Sequence, residues 1–171
     1  MVRVARFEKV SLRRFVADWV ATFPQQTVEQ AVAADERIRL PERATSGSAG
    51  YDLFAPVGFE LGAGEGIKIP TGLRVLIEEG WVLTIYPRSG LGFKYRFQLD
   101  NSVGVIDSDY ARSDNEGHIF MRMTNDSREG KTLIVPSGTA FAQGVFLPFG
   151  ITVDDHAQGV RNGGLGSTTG H

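Results

Sequence analysis

Four glycine-punctuated segments hold the residues of this 171-residue chain that could do chemistry. They run Thr45-Ser46-Gly47-Ser48-Ala49-Gly50-Tyr51-Asp52-Leu53, Tyr86-Pro87-Arg88-Ser89-Gly90-Leu91-Gly92, Asn101 to Tyr110, and Arg161 to Gly170. Glycine exposes backbone N–H groups, Ser and Thr add hydroxyl donors, and Arg supplies a fork that matches phosphate oxygens. Two of the segments combine Arg, Ser and Gly, which is the inventory for holding a polyphosphate. Each segment alone is weak evidence, because a Ser-Gly pair is usually only a turn. No Gly-x-x-x-x-Gly-Lys-Ser/Thr run occurs, so the chain has no P-loop. No βαβ pattern surrounds the glycines, which argues against a dinucleotide fold.

Two carboxylates stand in apolar strand-like surroundings: Asp52 between Tyr51 and Leu53, and Asp107 after Ile106. An acid there costs free energy unless it is paired, hydrogen-bonded or functional. One reading gives a carboxylate that holds Mg²⁺, often through the retained waters of the ion. Another gives a group that positions and deprotonates a water. The plainer reading makes Asp107 or Asp109 an Asx-type stabiliser of a hairpin turn. Local sequence leaves these open.

The elements that must position these groups fall into two regions. All 21 glycines lie beyond Leu40. Before it, Ser11 precedes Leu12, Phe15, Val16, Trp19 and Val20, a spacing that puts one apolar stripe on a helix ended by Pro24. Thr27 with Gln30 resembles a capping box for a second helix. Residues 1–37 therefore read as a helical extension, either a packing arm or a docking arm for another protein. Beyond it, Ile67, Ile69, Leu73, Val75 and Ile77, then Trp81, Leu83 and Ile85, fall on alternate positions. They predict half-buried strands joined at Glu79-Gly80. Further strands are expected at 118–124, 131–136 and 139–149. Many short strands with Gly/Pro turns predict an all-β barrel or sandwich over 38–150. Residues 151–171 read as a flexible glycine-rich arm.

Composition narrows the partners. Eighteen Lys and Arg against twenty Asp and Glu give a net charge of −2, so no basic field draws nucleic acid. Absence of cysteine excludes a disulfide, a zinc–thiolate site and a thiol nucleophile. No apolar run approaches the ~20 residues of a membrane span, so no membrane partner is expected. The start of the chain lacks a secretory layout, and a cytoplasmic protein is the expectation.

Taken in order, the segments resemble the five motifs of the trimeric dUTP pyrophosphatase (dUTPase) family. Ala49-Gly50-Tyr51-Asp52-Leu53 is similar to the first, and Pro87-Arg88-Ser89-Gly90-Leu91 to the second. Gly104 to Tyr110 is similar to the third, Gly138 to Gln143 to the fourth, and Arg161 with Gly163 to Thr168 to the fifth. The resemblance implies an all-β, jelly-roll-like β-clip barrel with an added N-terminal helical segment. It also implies a homotrimer whose sites lie between subunits, hydrolysing dUTP to dUMP and pyrophosphate with Mg²⁺. Under it, Asp107 activates the water and Tyr110 packs under the deoxyribose. Asn101 and the backbone of Val103, Gly104 and Val105 read uracil. Arg88, Ser89 and Gly90 hold phosphates, Gln143 meets the α-phosphate, and Asp52 binds Mg²⁺ through water. Arg161, Ser167 and Thr168, with Leu165 and Gly166, close over the far end of the nucleotide.

Three departures from the family pattern stand out. Residues 111–117 read as a loop insertion after Tyr110, and Leu165 sits where the family has an aromatic residue. Ala140-Phe141 replaces a basic–aliphatic pair before Ala142-Gln143. His118, Asp109 and Glu116 read as turn or strand-face residues, and Trp19 and Trp81 as core or interface. Two rival functions are a dCTP deaminase-like activity and a non-catalytic, partner-binding role on the same fold. The strand from His118 to Met123 holds no Glu to serve as a deaminase acid, which weighs against the first.

Overall fold

The computed structural model describes residues 2–159 and residue 161. The chain opens with a short strand, β1 (Ala5–Lys9), ahead of two helices, α1 (Leu12–Thr22) and α2 (Val28–Glu36). The N-terminal region is thus not purely helical. Val2 and Val4 alternate, but Phe7 falls out of phase and the strand is only half-covered, so no period-2 signal marks it. Ser11 caps α1, its hydroxyl accepting from Arg14 N at 3.2 Å. Thr27 and Gln30 form a full capping box at α2, with bonds of 3.2 and 2.8 Å. Their apolar faces meet each other. Phe15, Trp19, Ala31 and Ala34 are buried in a small core of their own. The Trp19 ring lies 5.1 Å from Phe15 and 5.0 Å from Phe23, and its indole N–H donates to Gln26 Oε1 at 2.7 Å.

The strands that follow are β2 (Tyr51–Phe54), β3 (Phe59–Leu61), β4 (Gly66–Pro70), β5 (Leu73–Ile77), β6 (Trp81–Pro87), β7 (Phe97–Leu99), β8 (Gly104–Ile106), β9 (Phe120–Asn125), β10 (Leu133–Val135) and β11 (Ala140–Pro148). They pair antiparallel in four sheets: β2-β11-β6-β8, β4-β9-β7, β1-β5 and β3-β10. The chain is mostly β, but the described residues show no closed barrel. The alternation of Leu73, Val75, Leu83 and Ile85 does mark core-facing positions, since all four are buried. The two strands that carry it nevertheless enter different sheets. Gly80, at φ 81°, turns the chain between them, and β5 pairs with β1 while β6 pairs with β11 and β8.

A third helix, α3 (Ser89–Tyr95), occupies a stretch that reads as a plain turn. Gly90 and Gly92 lower its intrinsic propensity. Packing supplies what propensity does not, because Leu91 and Tyr95, one turn apart, lie against the main core.

Trp19→Ala removes the largest side chain of the helical core and is expected to destabilise the protein by roughly 3–5 kcal/mol. Urea denaturation followed by far-ultraviolet circular dichroism measures this; a change below about 0.5 kcal/mol contradicts the packing described.

Candidate functional site

The strand ladder places the predicted residues in two separate groups. The first surrounds a pocket of about 620 Å³, within the size range of small-ligand sites. Asn101, Val103, Gly104, Val105, Tyr110 and Arg161 all line it. Its floor comes from β8, which pairs with β6 through Gly104↔Ile85 and Val105↔Thr84. Its rim comes from the turn at 100–103, which carries the chain from β7 in one sheet to β8 in another. Ser102 takes a positive φ of 67° there, and Val103 N donates to Asn101 O at 2.8 Å. Asp100 steadies the rim, bridging Arg122 Nε at 2.9 Å and accepting from Thr124 Oγ1 at 2.6 Å.

Asp107 follows β8 directly. Its carboxylate pairs with the Arg161 guanidinium, which also contacts Asp109 Oδ1 at 2.8 Å and lies 5.9 Å from the Tyr110 ring centre. Arg161 was expected over the end of a triphosphate. Here it joins the pocket wall to the two carboxylates. Leu165, Gly166, Ser167 and Thr168, which were expected to complete the arm, lie outside the described residues.

The second group sits at the other end of β6. Gln143 on β11 stands opposite both Asp52 on β2 and Tyr86 on β6. Gln143 Nε2 donates to Pro87 O at 3.2 Å, and Asp52 Oδ1 lies 3.4 Å from Arg88 Nε. Ser89 and Gly90 open α3, whose first-turn N–H groups have no intrahelical partner. Gly50 lies close against Gln143: a Cβ on it would stand 2.6 Å from Gln143 Oε1 and would push that side chain aside.

Within one protomer these groups do not meet. Ile106 pairs with Leu83, so Asp107 falls level with Val82 near the start of β6, while Arg88 follows its other end. Six residues of strand separate their levels, about 20 Å. None of Asp52, Arg88 or Gln143 lines the pocket.

Among the described residues, no three His, Asp or Glu side chains converge to cage a metal ion. Asp52 alone, half-buried beside an arginine, fits a cation held by phosphate oxygens and touched through water, rather than a cation caged by protein.

Sequence reasoning missed the support behind Tyr110. Its hydroxyl donates to His118 O at 2.8 Å and accepts from Asn115 Nδ2 at 2.9 Å. His118 is fully buried; its Nδ1 bonds Asp18 Oδ2 of α1 at 2.6 Å, and its Nε2 accepts from Gly72 N at 2.8 Å. The Glu116 carboxylate accepts from Ser11 N at 2.8 Å and Ser11 Oγ at 2.7 Å. Asp18 and His118 lie 100 positions apart, and Ser11 and Glu116 lie 105, so no local pattern announces these two pairs. His118 and Glu116 are thus not simple turn or strand-face residues.

A family model for dUTPase matches residues 36–169. A deoxyuridine 5′-triphosphate nucleotidohydrolase of Lactococcus lactis subsp. lactis is 44% identical over 134 residues, covering 77% of this chain and 88% of its own length. One from Dictyoglomus turgidum is 35% identical over 143 residues, covering 78% and 92%. The crystal structure of dUTPase from Streptococcus mutans superposes with a TM-score of 0.63 at 35% identity, covering 87% of this chain and 98% of that one. Dutpase of Staphylococcus bacteriophage 80alpha with dUPNHPP shares the fold at 19% identity and a TM-score of 0.64, covering 98% and 99%.

Burial pushes the His118 imidazole below its ordinary value, against the opposing pull of Asp18. The bonds from the Ser11 backbone and hydroxyl hold Glu116 below the carboxylate range. Both groups therefore stabilise the fold fully above their unfolded values, and that stability is lost as pH falls. Urea midpoints are expected to decline below about 6.5 as His118 enters its window, then again below about 4.5 for Glu116. His118→Gln flattens the upper part of this decline; an identical pH profile in the variant contradicts the assignment.

Proposed function

The chain belongs to the dUTPase family and is an enzyme that hydrolyses dUTP; from that premise we propose how its residues perform the reaction. The observation that carries the reading is the pocket lined together by Asn101, Val103–Val105, Tyr110 and the Asp107-bound Arg161. Its hairpin presents backbone groups to uracil. O4 and N3–H of uracil demand the reverse donor–acceptor order from cytosine, and a mismatch leaves buried groups unpaired. Tyr110 underlies the deoxyribose and closes the space a 2′-hydroxyl needs. Close approach of the hairpin to the ring excludes a 5-methyl group.

Asp107 orients a water toward the α-phosphorus and takes its proton as the new P–O bond forms. The bond from the α-phosphorus to the bridging oxygen breaks, and pyrophosphate leaves with that electron pair. Phosphoryl transfer of this kind depends on alignment and charge stabilisation. Arg88, Ser89 and Gly90 hold phosphate oxygens, and Gln143 holds the α-phosphate. Asp52 would hold Mg²⁺ through water, and the ion would supply charge neutralisation of the triphosphate that eases departure of pyrophosphate. The dUTPase of phage phi11 of S. aureus is described with a structural Mg(II) ion. Arg161 transfers from Asp107 and Asp109 to phosphate oxygens when the nucleotide arrives, and residues 165–168 close behind it.

Asp107 and Arg88 serve the same phosphorus, yet about 20 Å of strand separates their levels in one protomer. The site is therefore completed between chains, in a homotrimer. Phe15 and Trp19 of α1 and Ala31 and Ala34 of α2 are buried in a small core of their own, which favours a packing arm, although Leu12 and Val28 stay exposed.

Asp107→Asn is expected to lower kcat by about 10²–10⁴-fold while leaving dUTP binding within a few-fold, measured by pyrophosphate release and by calorimetry with a non-hydrolysable analogue. Wild-type kcat in the variant contradicts the role. Mixing inactive Asp107→Asn and Arg88→Ala subunits, refolded together, is expected to restore activity, since about a quarter of interfacial sites then draw both intact residues. No recovery in verified mixed trimers refutes a site shared between chains.

A further inference from the structure

We propose that Asn115, His118 and Asp18 are positioning residues that fix the Tyr110 ring and so set how strictly the pocket rejects a 2′-hydroxyl. The inference rests on the reading of Tyr110 as the residue under the sugar.

Tyr110 is 6% exposed and stands at the start of a short 3₁₀ turn, Tyr110–Arg112. Both bonds of its hydroxyl run to protein: donation to His118 O and acceptance from Asn115 Nδ2. The hydroxyl is thus committed to the scaffold, and what Tyr110 offers the pocket is ring surface. Rejection of a 2′-hydroxyl by a ring surface is steric. Its strength depends on how far the ring moves before the larger sugar fits, so the second anchor at the phenol oxygen matters as much as the backbone.

That anchor is built from three elements. Asn115 is itself held, its Oδ1 accepting from Gly117 N at 3.1 Å. Gly117 takes φ 71°, and a Cβ there would stand 2.6 Å from Ala111 Cα, so the loop folds tightly back on Tyr110's neighbour. The His118 ring can adopt one tautomer. Gly72 N–H only donates, so Nε2 is the acceptor, and the ring proton sits on Nδ1 and is donated to Asp18. The Phe120 ring packs 4.6 Å from the imidazole and Phe15 of α1 lies 6.2 Å from it. From α1, Arg14 contacts Asp18 Oδ1 and Asp114 O, each at 3.3 Å, while Glu116 clasps Ser11. The added helices and residues 111–117 thus form one assembly whose output is the place of the Tyr110 hydroxyl.

The test compares kcat/KM for dUTP and UTP in the full-length protein. Wild type is set against Asn115→Ala, Asp18→Ala, Asp18→Asn, Tyr110→Phe, Tyr110→Ala and the double variant Asn115→Ala/Tyr110→Phe. Asn115→Ala and Tyr110→Phe are each expected to lower the dUTP/UTP ratio about tenfold, and the double variant no further. Asp18→Ala lowers the ratio in the same direction. Asp18→Asn, which keeps an acceptor for Nδ1–H, retains most of it. Thermal unfolding confirms folding, and Asn115, in a surface loop, keeps the test decisive should Asp18→Ala unfold. If Asn115→Ala slows both nucleotides equally and leaves the ratio unchanged while Tyr110→Ala collapses it, the positioning role is overturned and the Tyr110 reading stands. If Tyr110→Ala leaves the ratio unchanged, the Tyr110 reading itself fails.

Discussion

The pairing of β6 with β11 along one edge and β8 along the other is the constraint on which the rest of this structure depends. It puts Gly104 and Val105 opposite Ile85 and Thr84, and Gln143 opposite Tyr86, one residue further along the same strand. A ladder of backbone hydrogen bonds fixes these positions relative to one another, and phosphoryl transfer depends on such alignment. The same ladder throws Asp107 and Arg88 to opposite ends of β6. On the function proposed above, a protomer carries every ligand type but not a complete site, and assembly becomes part of the chemistry.

The second organising feature is the wedge between α1 and the sheet. His118 is a buried imidazole satisfied at both nitrogens by groups from different parts of the chain. Leaving either nitrogen unpaired would cost free energy, so the helix, the Gly72 turn and the strand entering β9 are fixed relative to one another. The 111–117 loop is well anchored: Glu116 accepts from Ser11, the cap of α1, and Asn115 reaches back to Tyr110. Its tightest point, Gly117, combines a left-handed backbone with no room for a side chain.

That six of the candidate residues share a pocket was legible in advance for a physical reason. Groups that bind phosphate, Mg²⁺ and a planar base need particular residue types on glycine-rich turns, and such turns are local. Asn101, the 103–105 run, Tyr110 and Arg161 share one pocket. The capping signals at Ser11 and Thr27 are equally local, and helices begin there. What failed was also local in origin. α3 forms despite two glycines because Leu91 and Tyr95 reach the core, and β1 forms without alternation because β5 offers it an edge.

The sequence alone determined the chemistry available, since side-chain types and their spacing within a turn do not change when the chain folds. It also determined which strand faces turn inward, because the period of two is a property of the extended backbone. Only the tertiary structure decided which sheet each strand joins. Only it decided that Arg161 rests on Asp107 and Asp109, that His118 ties α1 to the sheet, and that the two groups of candidate residues lie at different levels along β6. Those outcomes depend on contacts between residues some fifty to a hundred positions apart, and no property of either partner alone encodes the other's place.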